Sequence, residues 1–186
     1  GQLLGWLLKF GRDTDTYLHA RWCFEKDRYA ETIACVQKLV DAGHQDKLLF
    51  EYRMYSHLML LQPRSAIQLI EMLDPQQLDA YDDCLHALAL EQVGDAEAAL
   101  RALERALVKA PGHHEALNHR AHICLQSGEW EAAEGYLTRA LRSHPEFAAA
   151  LNNRAALRLH QGELHAARKD LVAALMQDHE NPYIHL

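Results

Sequence analysis

Thirteen histidines in 186 residues are the most reactive-looking resource of this chain. His113, His114, His119 and His122 fall close together. His119 and His122 stand three apart, a spacing at which one helix can turn two imidazoles to the same side and offer them to a metal. His114, Asn118 and His122 form a second row at four-residue spacing. No carboxylate completes a pattern such as HExxH, and structural zinc asks for four ligands, so charge switching near about pH 6 suits the cluster as well as metal binding does. The four cysteines, Cys23, Cys35, Cys84 and Cys124, show no CxxC spacing and read as small buried thiols rather than disulfide partners. Asp82 and Asp83 are neighbours in sequence, diverge on a helix, and read as solvent-facing. The chain contains no GxSxG, no phosphate-cradling glycine loop and no GxGxxG after a strand. The expectation is a protein without catalytic residues, metal or cofactor.

The elements that position these groups are set by a repeat. VGDAEAALRALERALVKAP is followed by SGEWEAAEGYLTRALRSHP, and QGELHAARKDLVAALMQDH begins a third copy. Gly94, Gly128 and Gly162 are 34 residues apart, as are Ala99, Ala133 and Ala167; Leu103, Leu137 and Leu171; and Ala106, Ala140 and Ala174. Pro111 and Pro145 keep the same interval. Each glycine suits the end of a first helix, where a positive φ is wanted. The alanine and leucine rows lie on one face of a second helix, and small alanines allow two helices to close tightly. Counting by the period gives units at 13–46, 47–79, 80–113, 114–147 and 148–181, each a helix A, a turn and a helix B.

The first two units are irregular. Lys26-Asp27-Arg28 stands where a glycine turn belongs, with Ala20 facing a second helix whose apolar stripe is expected at Ile33, Val36, Leu39 and Val40. In the second unit Pro63 opens helix B and Pro75 closes it early, since proline is accepted in the first turn of a helix and excluded from its interior. That unit is one residue short, and its turn is expected to deviate. Residues 1–12 form an apolar capping segment. LLGWLLKF within it is too short to cross a bilayer, and Asp13 to Thr16 supply cap chemistry for the next helix. Residues 182–186 look like the start of a cap or a further helix.

The 34-residue period and these residues resemble the tetratricopeptide-repeat (TPR) family. The helix B half of the family pattern is met by Ala133, Leu137, Ala140 and Pro145, with Trp130 where an aromatic is usual. The helix A half departs from it: Leu117 and Leu151 replace Trp, and Arg120-Ala121 and Arg154-Ala155 replace Leu-Gly. The resemblance implies an all-α fold, a right-handed superhelical solenoid of about five repeats whose A helices line a concave groove. Carried onto this sequence, the partner-binding positions are Tyr17, Arg21, Phe24, Glu51, Tyr55, Met59, Leu88, Glu91, Asn118, His122, Gln126, Asn152 and His160. Asn118 and Asn152 are expected to stack in a ladder that fixes a peptide backbone, while Tyr17, Phe24 and Tyr55 receive apolar side chains. The cations that some relatives use to clamp a terminal carboxylate are replaced by Tyr81, Leu85, Glu115, His119, Ala149 and Asn153, which argues against a chaperone-tail clamp.

A formal charge of −7 and a pI near 6.0 argue against a nucleic-acid binder, which would show a basic stripe. The expected partner is a protein segment, without membrane insertion, in the cytoplasm, with the periplasm left open. Self-association through LLGWLLKF and the final repeat is a further expectation. Two other functional readings stand beside the adaptor: a docking or regulatory part of a larger enzyme, and a bacterial secretion or pilus-assembly chaperone.

Overall fold

The computed structural model describes residues 10–74 and 76–178. After a short 3-10 turn at Gly11–Asp13 come α1 (Thr14–Glu25), α2 (Tyr29–Asp41), α3 (Lys47–Met59), α4 (Pro63–Glu71), α5 (Ala80–Gln92), α6 (Ala96–Lys109), α7 (His114–Gln126), α8 (Trp130–Ser143), α9 (Ala148–His160) and α10 (Leu164–Asp178). Among the described residues there is no strand, and the fold is all-α. LLGWLLKF apart from Phe10, Pro75 and the segment 182–186 lie outside the described residues.

Consecutive helices pack in antiparallel pairs because each turn between them reverses the chain in the same way. Asp27, Leu61, Gly94, Gly128 and Gly162 all hold a positive φ, of 56°, 54°, 87°, 75° and 81°. In every case the next amide reaches back across the turn: Arg28 N to Cys23 O, Gln62 N to His57 O, Asp95 N to Leu90 O, Glu129 N to Cys124 O and Glu163 N to Arg158 O, at 2.8 or 2.9 Å. This left-handed closure satisfies carbonyls that the end of a helix leaves without partners. The second turn, expected to deviate, does not; Leu61 adopts the backbone that glycine adopts elsewhere, with its side chain in solvent. The missing residue falls later, after α4, which ends at Glu71 after nine residues.

By contact the chain divides into two compact units. One comprises the described part of Gly1–Pro75 with Leu88–Asp95, the other Gln76–Ala87 with the described part of Ala96–Leu186. In the first, α2 turns Thr32, Cys35, Val36 and Leu39 inward, while Val40, expected in the stripe, is exposed. Asp13 does not cap α1 with its side chain; its carboxylate instead meets His44 Nε2 at 3.0 Å, and Thr14 Oγ1 donates to Gly11 O.

In the second unit Leu117, Ala121, Leu137, Ala140, Ala150, Leu151, Leu157 and Ala174 make a continuous core. Alanine at Ala99, Ala133 and Ala167 is buried completely or nearly so, which allows close helix approach; the leucines fill what remains. Leu103 and Leu137 are fully buried, but Leu171, their counterpart on α10, is 39% exposed. All four cysteines are buried and free.

The acid pair Asp82 and Asp83, expected in solvent, is buried. Asp82 Oδ2 accepts from Asp79 N, and Asp79 Oδ1 accepts from Asp82 N, so the two residues cap the start of α5 reciprocally. Asp83 accepts from Arg105 Nε at 2.9 Å and Lys109 Nζ at 2.6 Å, both on α6. Four residues separate those cations, which places them one turn apart on the face that meets α5.

Candidate protein-binding surface

The first unit does not present its aromatic residues as an open surface. Tyr17, Phe24 and Tyr55 are 3%, 7% and 7% exposed. Phe24 stacks on Tyr52 at 4.3 Å and meets Tyr55 edge-on at 5.4 Å, and Tyr29 lies across Tyr55 at 6.0 Å. Tyr17 stacks on Phe10 at 4.1 Å. The expectation that these rings receive a partner's side chains is corrected by packing: in the first two helix pairs aromatic residues fill volume that leucine and alanine fill later in the chain. The polar positions remain accessible. Arg21 is half-buried and donates to Glu25 at 2.7 Å, one turn on. Glu51, half-buried, lies 3.6 Å from Lys47. Met59, Leu88 and Glu91 are half-buried as well.

In the second unit α7 and α9 carry a row of amides and imidazoles. Asn118 and His122 are half-buried on α7, Gln126 is exposed at its end, and Asn152 and His160 are exposed on α9. The expected ladder between Asn118 and Asn152 is not formed. Asn153 takes the part of Asn152 and donates from Nδ2 to Asn118 Oδ1 at 2.9 Å. The offset is 35 residues, not 34: the side chain of α9 that reaches back to α7 is the one after the period mate of Asn118. Asn153 was legible only as a place where a clamping cation was lacking.

This bridge has a simple chemical consequence. It uses one acceptor of Asn118 and one donor of Asn153, which leaves each amide its other function: Nδ2 donors on Asn118 and the Oδ1 acceptor on Asn153. One turn further along α7, Gln126 Nε2 donates to His122 Nε2 at 2.9 Å, so the acceptor nitrogen of that ring is Nε2. Trp130, at the start of α8, stacks on His160 at 3.8 Å. His119 and His122 do not gather a third metal-binding side chain among the described residues.

A second polar cluster marks the junction ahead of α7. His113 caps the helix, its Nδ1 accepting from Ala116 N at 3.4 Å, with Cys84 Sγ at 3.7 Å. His114 stacks on His144 at 3.6 Å and meets Phe147 edge-on. Burial pushes the His113 imidazole below its ordinary value, against the pull of Glu115. Burial works to raise the Glu115 carboxyl, but the hydrogen bond and charge of His114, with His113 beyond, hold it lower than usual. Desolvation pushes the Cys84 thiol upward, which keeps it protonated and unreactive. The arrangement is a neutral imidazole cap beside a carboxylate.

No helix among the described residues is long and apolar enough to cross a membrane. No curated protein matches the sequence closely enough to count as a relative. Solved structures do match over nearly the whole length. The thermophilic TPR protein TTC0263 of Thermus thermophilus superposes with a TM-score of 0.78 at 18% identity, covering 91% of this chain and 93% of that one. A crystal structure of MamA gives 0.60 at 18% identity over 87% and 95%. YrrB, described as a TPR protein with an unusual peptide-binding site, gives 0.52 at 13% identity over 87% and 84%. At such identities the likeness shows the fold. Family models for the tetratricopeptide repeat match residues 90–149 and 125–182, which together span half of the sequence. The chain belongs to the tetratricopeptide-repeat family.

Proposed function

We propose that this protein is a non-catalytic adaptor that holds a segment of a partner protein, as a peptide or a helix, against the A-helix face of its repeats. The family and its fold support a protein-interaction scaffold. The observation that carries the finer reading is the bridge between Asn118 and Asn153. Its leftover donor and acceptor are the complement of one peptide group, and the bridge itself locks both side chains so that little rotamer freedom remains to be lost on binding. Gln126, Asn152 and His160 extend the same polar row, while Arg21, Glu51, Met59, Leu88 and Glu91 are the accessible positions of the first unit. YrrB, a fold relative with a peptide-binding site, is in keeping with this use of the architecture.

The test is selection of binding peptides from a displayed library, followed by affinity measurement on substituted protein. Asn118→Ala and Asn153→Ala should each weaken binding about tenfold, the order expected for loss of one or two hydrogen bonds. Affinity unchanged in the double substitution would remove the amide bridge from the mechanism. The proposal extends to self-association. The last helix exposes Leu164, Val172, Leu175 and Met176, each at least half open to solvent, a row that a second copy would cover at high concentration. A monomeric mass by sedimentation equilibrium at high concentration would rule that out.

A further inference from the structure

The first helix pair brings together two chemistry-bearing pairs at four-residue spacing: His19 and Cys23 on α1, and Glu31 and Cys35 on α2. Residues four apart share a helix face, and α1 and α2 pack against each other, so Glu31 comes to lie beside His19 and Cys23. One ligand atom each from His19, Cys23 and Glu31 lies within 4.8 Å of the other two. His19 Nε2 is 3.5 Å from Cys23 Sγ, which already matches the roughly 3.5 Å edge of a tetrahedron built on zinc bonds of about 2.0–2.3 Å. Cys35, one turn after Glu31, is buried and stands outside that group of three.

We propose that His19, Cys23 and Glu31 form a three-ligand zinc site that ties α1 to α2, with a solvent water completing the tetrahedron. The donor set decides the metal. Thiolate and imidazole do not suit magnesium or calcium, and a carboxylate beside them favours zinc(II) over copper(I). The approach is open, because His19 and Glu31 are exposed while the Cys23 sulfur lies beneath them. Supporting contacts are in place. Trp22 stacks on His19 with ring centres 5.8 Å apart, which fixes the imidazole plane. Arg28 donates to Glu31 Oε1 from Nε and lies close with Nη2; both contacts fall on one oxygen, so the carboxylate has another to turn toward a metal. Such outer contacts orient ligands and offset the negative charge of a site that joins a thiolate to a carboxylate. On binding, the Cys23 thiol gives up its proton to solvent as its sulfur–metal bond forms, and no oxidation state changes.

Cobalt(II) titrated into reduced, metal-free protein is the probe. The expected result is a sulfur-to-cobalt charge-transfer band in the near ultraviolet, with the intense visible bands of a four-coordinate ion, lost on addition of zinc(II). His19→Ala and Glu31→Gln alter exposed side chains and should keep the fold, checked by circular dichroism. Each should weaken cobalt binding about tenfold or more, since even outer contacts are worth that much. Cys23→Ser should remove the charge-transfer band, while Cys84→Ser and Cys124→Ser retain it. Absence of any thiolate band at protein concentrations well above micromolar would overturn the proposal. So would a band that survives His19→Ala and Cys23→Ser but vanishes with Cys84→Ser, which would move the metal to the Cys84 and His113 pair.

Discussion

At the scale of single residues, the positions that stand out are those where the sequence breaks a local rule and the backbone does not. Leu61 holds φ at 54° with its side chain 78% exposed. A left-handed conformation costs a residue with a Cβ roughly 1–2 kcal/mol, and an exposed leucine recovers little of that by packing. Leu61→Gly should therefore raise stability by about 0.5–1 kcal/mol after the extra entropy of glycine in the unfolded chain is counted, read as a higher urea midpoint at unchanged m-value. Gly128→Ala should lower it by about 1 kcal/mol, since φ there is 75° and only strain opposes the methyl group. His113 is the second such position. Its ring faces Cys84, Glu115, His114, His144, Asp79 and Tyr81, and its folded pKa lies below the unfolded value of about 6.5. Between those two values the unfolded chain binds more protons, so the stability that the neutral cap contributes is fully present above the unfolded pKa and is lost as pH falls through the folded one. The melting temperature should drop from about pH 7.5 to about pH 5.5, and His113→Asn, which caps without titrating in that range, should flatten the slope.

At the scale of the elements, buried carboxylates tie the helices of a pair to one another. Asp83 on α5 takes Arg105 and Lys109 from α6. Asp170 on α10 takes Arg154 through two bonds of 2.8 and 2.7 Å, with Arg158 beside it on α9. Arg120 stands one period before Arg154, over Tyr136, which holds the place of Asp170. Each carboxylate is almost fully buried and its cations are partly solvated, so the acid is the costly member to strand. Removing both Arg105 and Lys109 by alanine substitution should destabilise the protein by about 3 kcal/mol, whereas Lys109→Ala alone should cost clearly less, measured by denaturant unfolding. These ties also show what a reader of the sequence could and could not see. The helix pairs were legible because glycine, alanine and leucine recur at a fixed interval. Asp83 was not, because two neighbouring acids that diverge on a helix read as solvent-facing, and only the cations 22 and 26 residues later explain its burial. Tyr17, Phe24 and Tyr55 read as an open surface for a related reason: the family pattern places the A helices, but how far a helix is rotated depends on the volume of what it meets. Asn153 rather than Asn152 depends on which side chain of α9 faces α7, which a 34-residue period does not encode. The proposed zinc ligands escape notice in the sequence because neither helix alone carries more than two.

At the scale of the whole molecule, a repeat array gains its stability mainly from each pair and its neighbours. A lesion should therefore be felt locally. Leu137 is fully buried in the core of the second unit, and Leu137→Ala should cost about 2–5 kcal/mol there. Hydrogen exchange should then speed up across α7 to α9 much more than across α1 to α4; uniform loss of protection would mean that the chain unfolds as one cooperative body. On the two proposals above, the same modularity gives different stretches different tasks, a metal-tied hairpin at one end of the sequence and an amide-lined face further on. It also provides a way to watch them separately. The two tryptophans among the described residues, Trp22 and Trp130, each lie against a histidine, His19 at 5.8 Å and His160 at 3.8 Å. A protonated imidazole quenches indole emission, and a metal-bound or displaced one does so differently. With Trp6→Phe as the background, Trp22→Phe and Trp130→Phe in turn make unlabelled protein its own pair of optical gauges, one for the ion and the other for the occupant of the face.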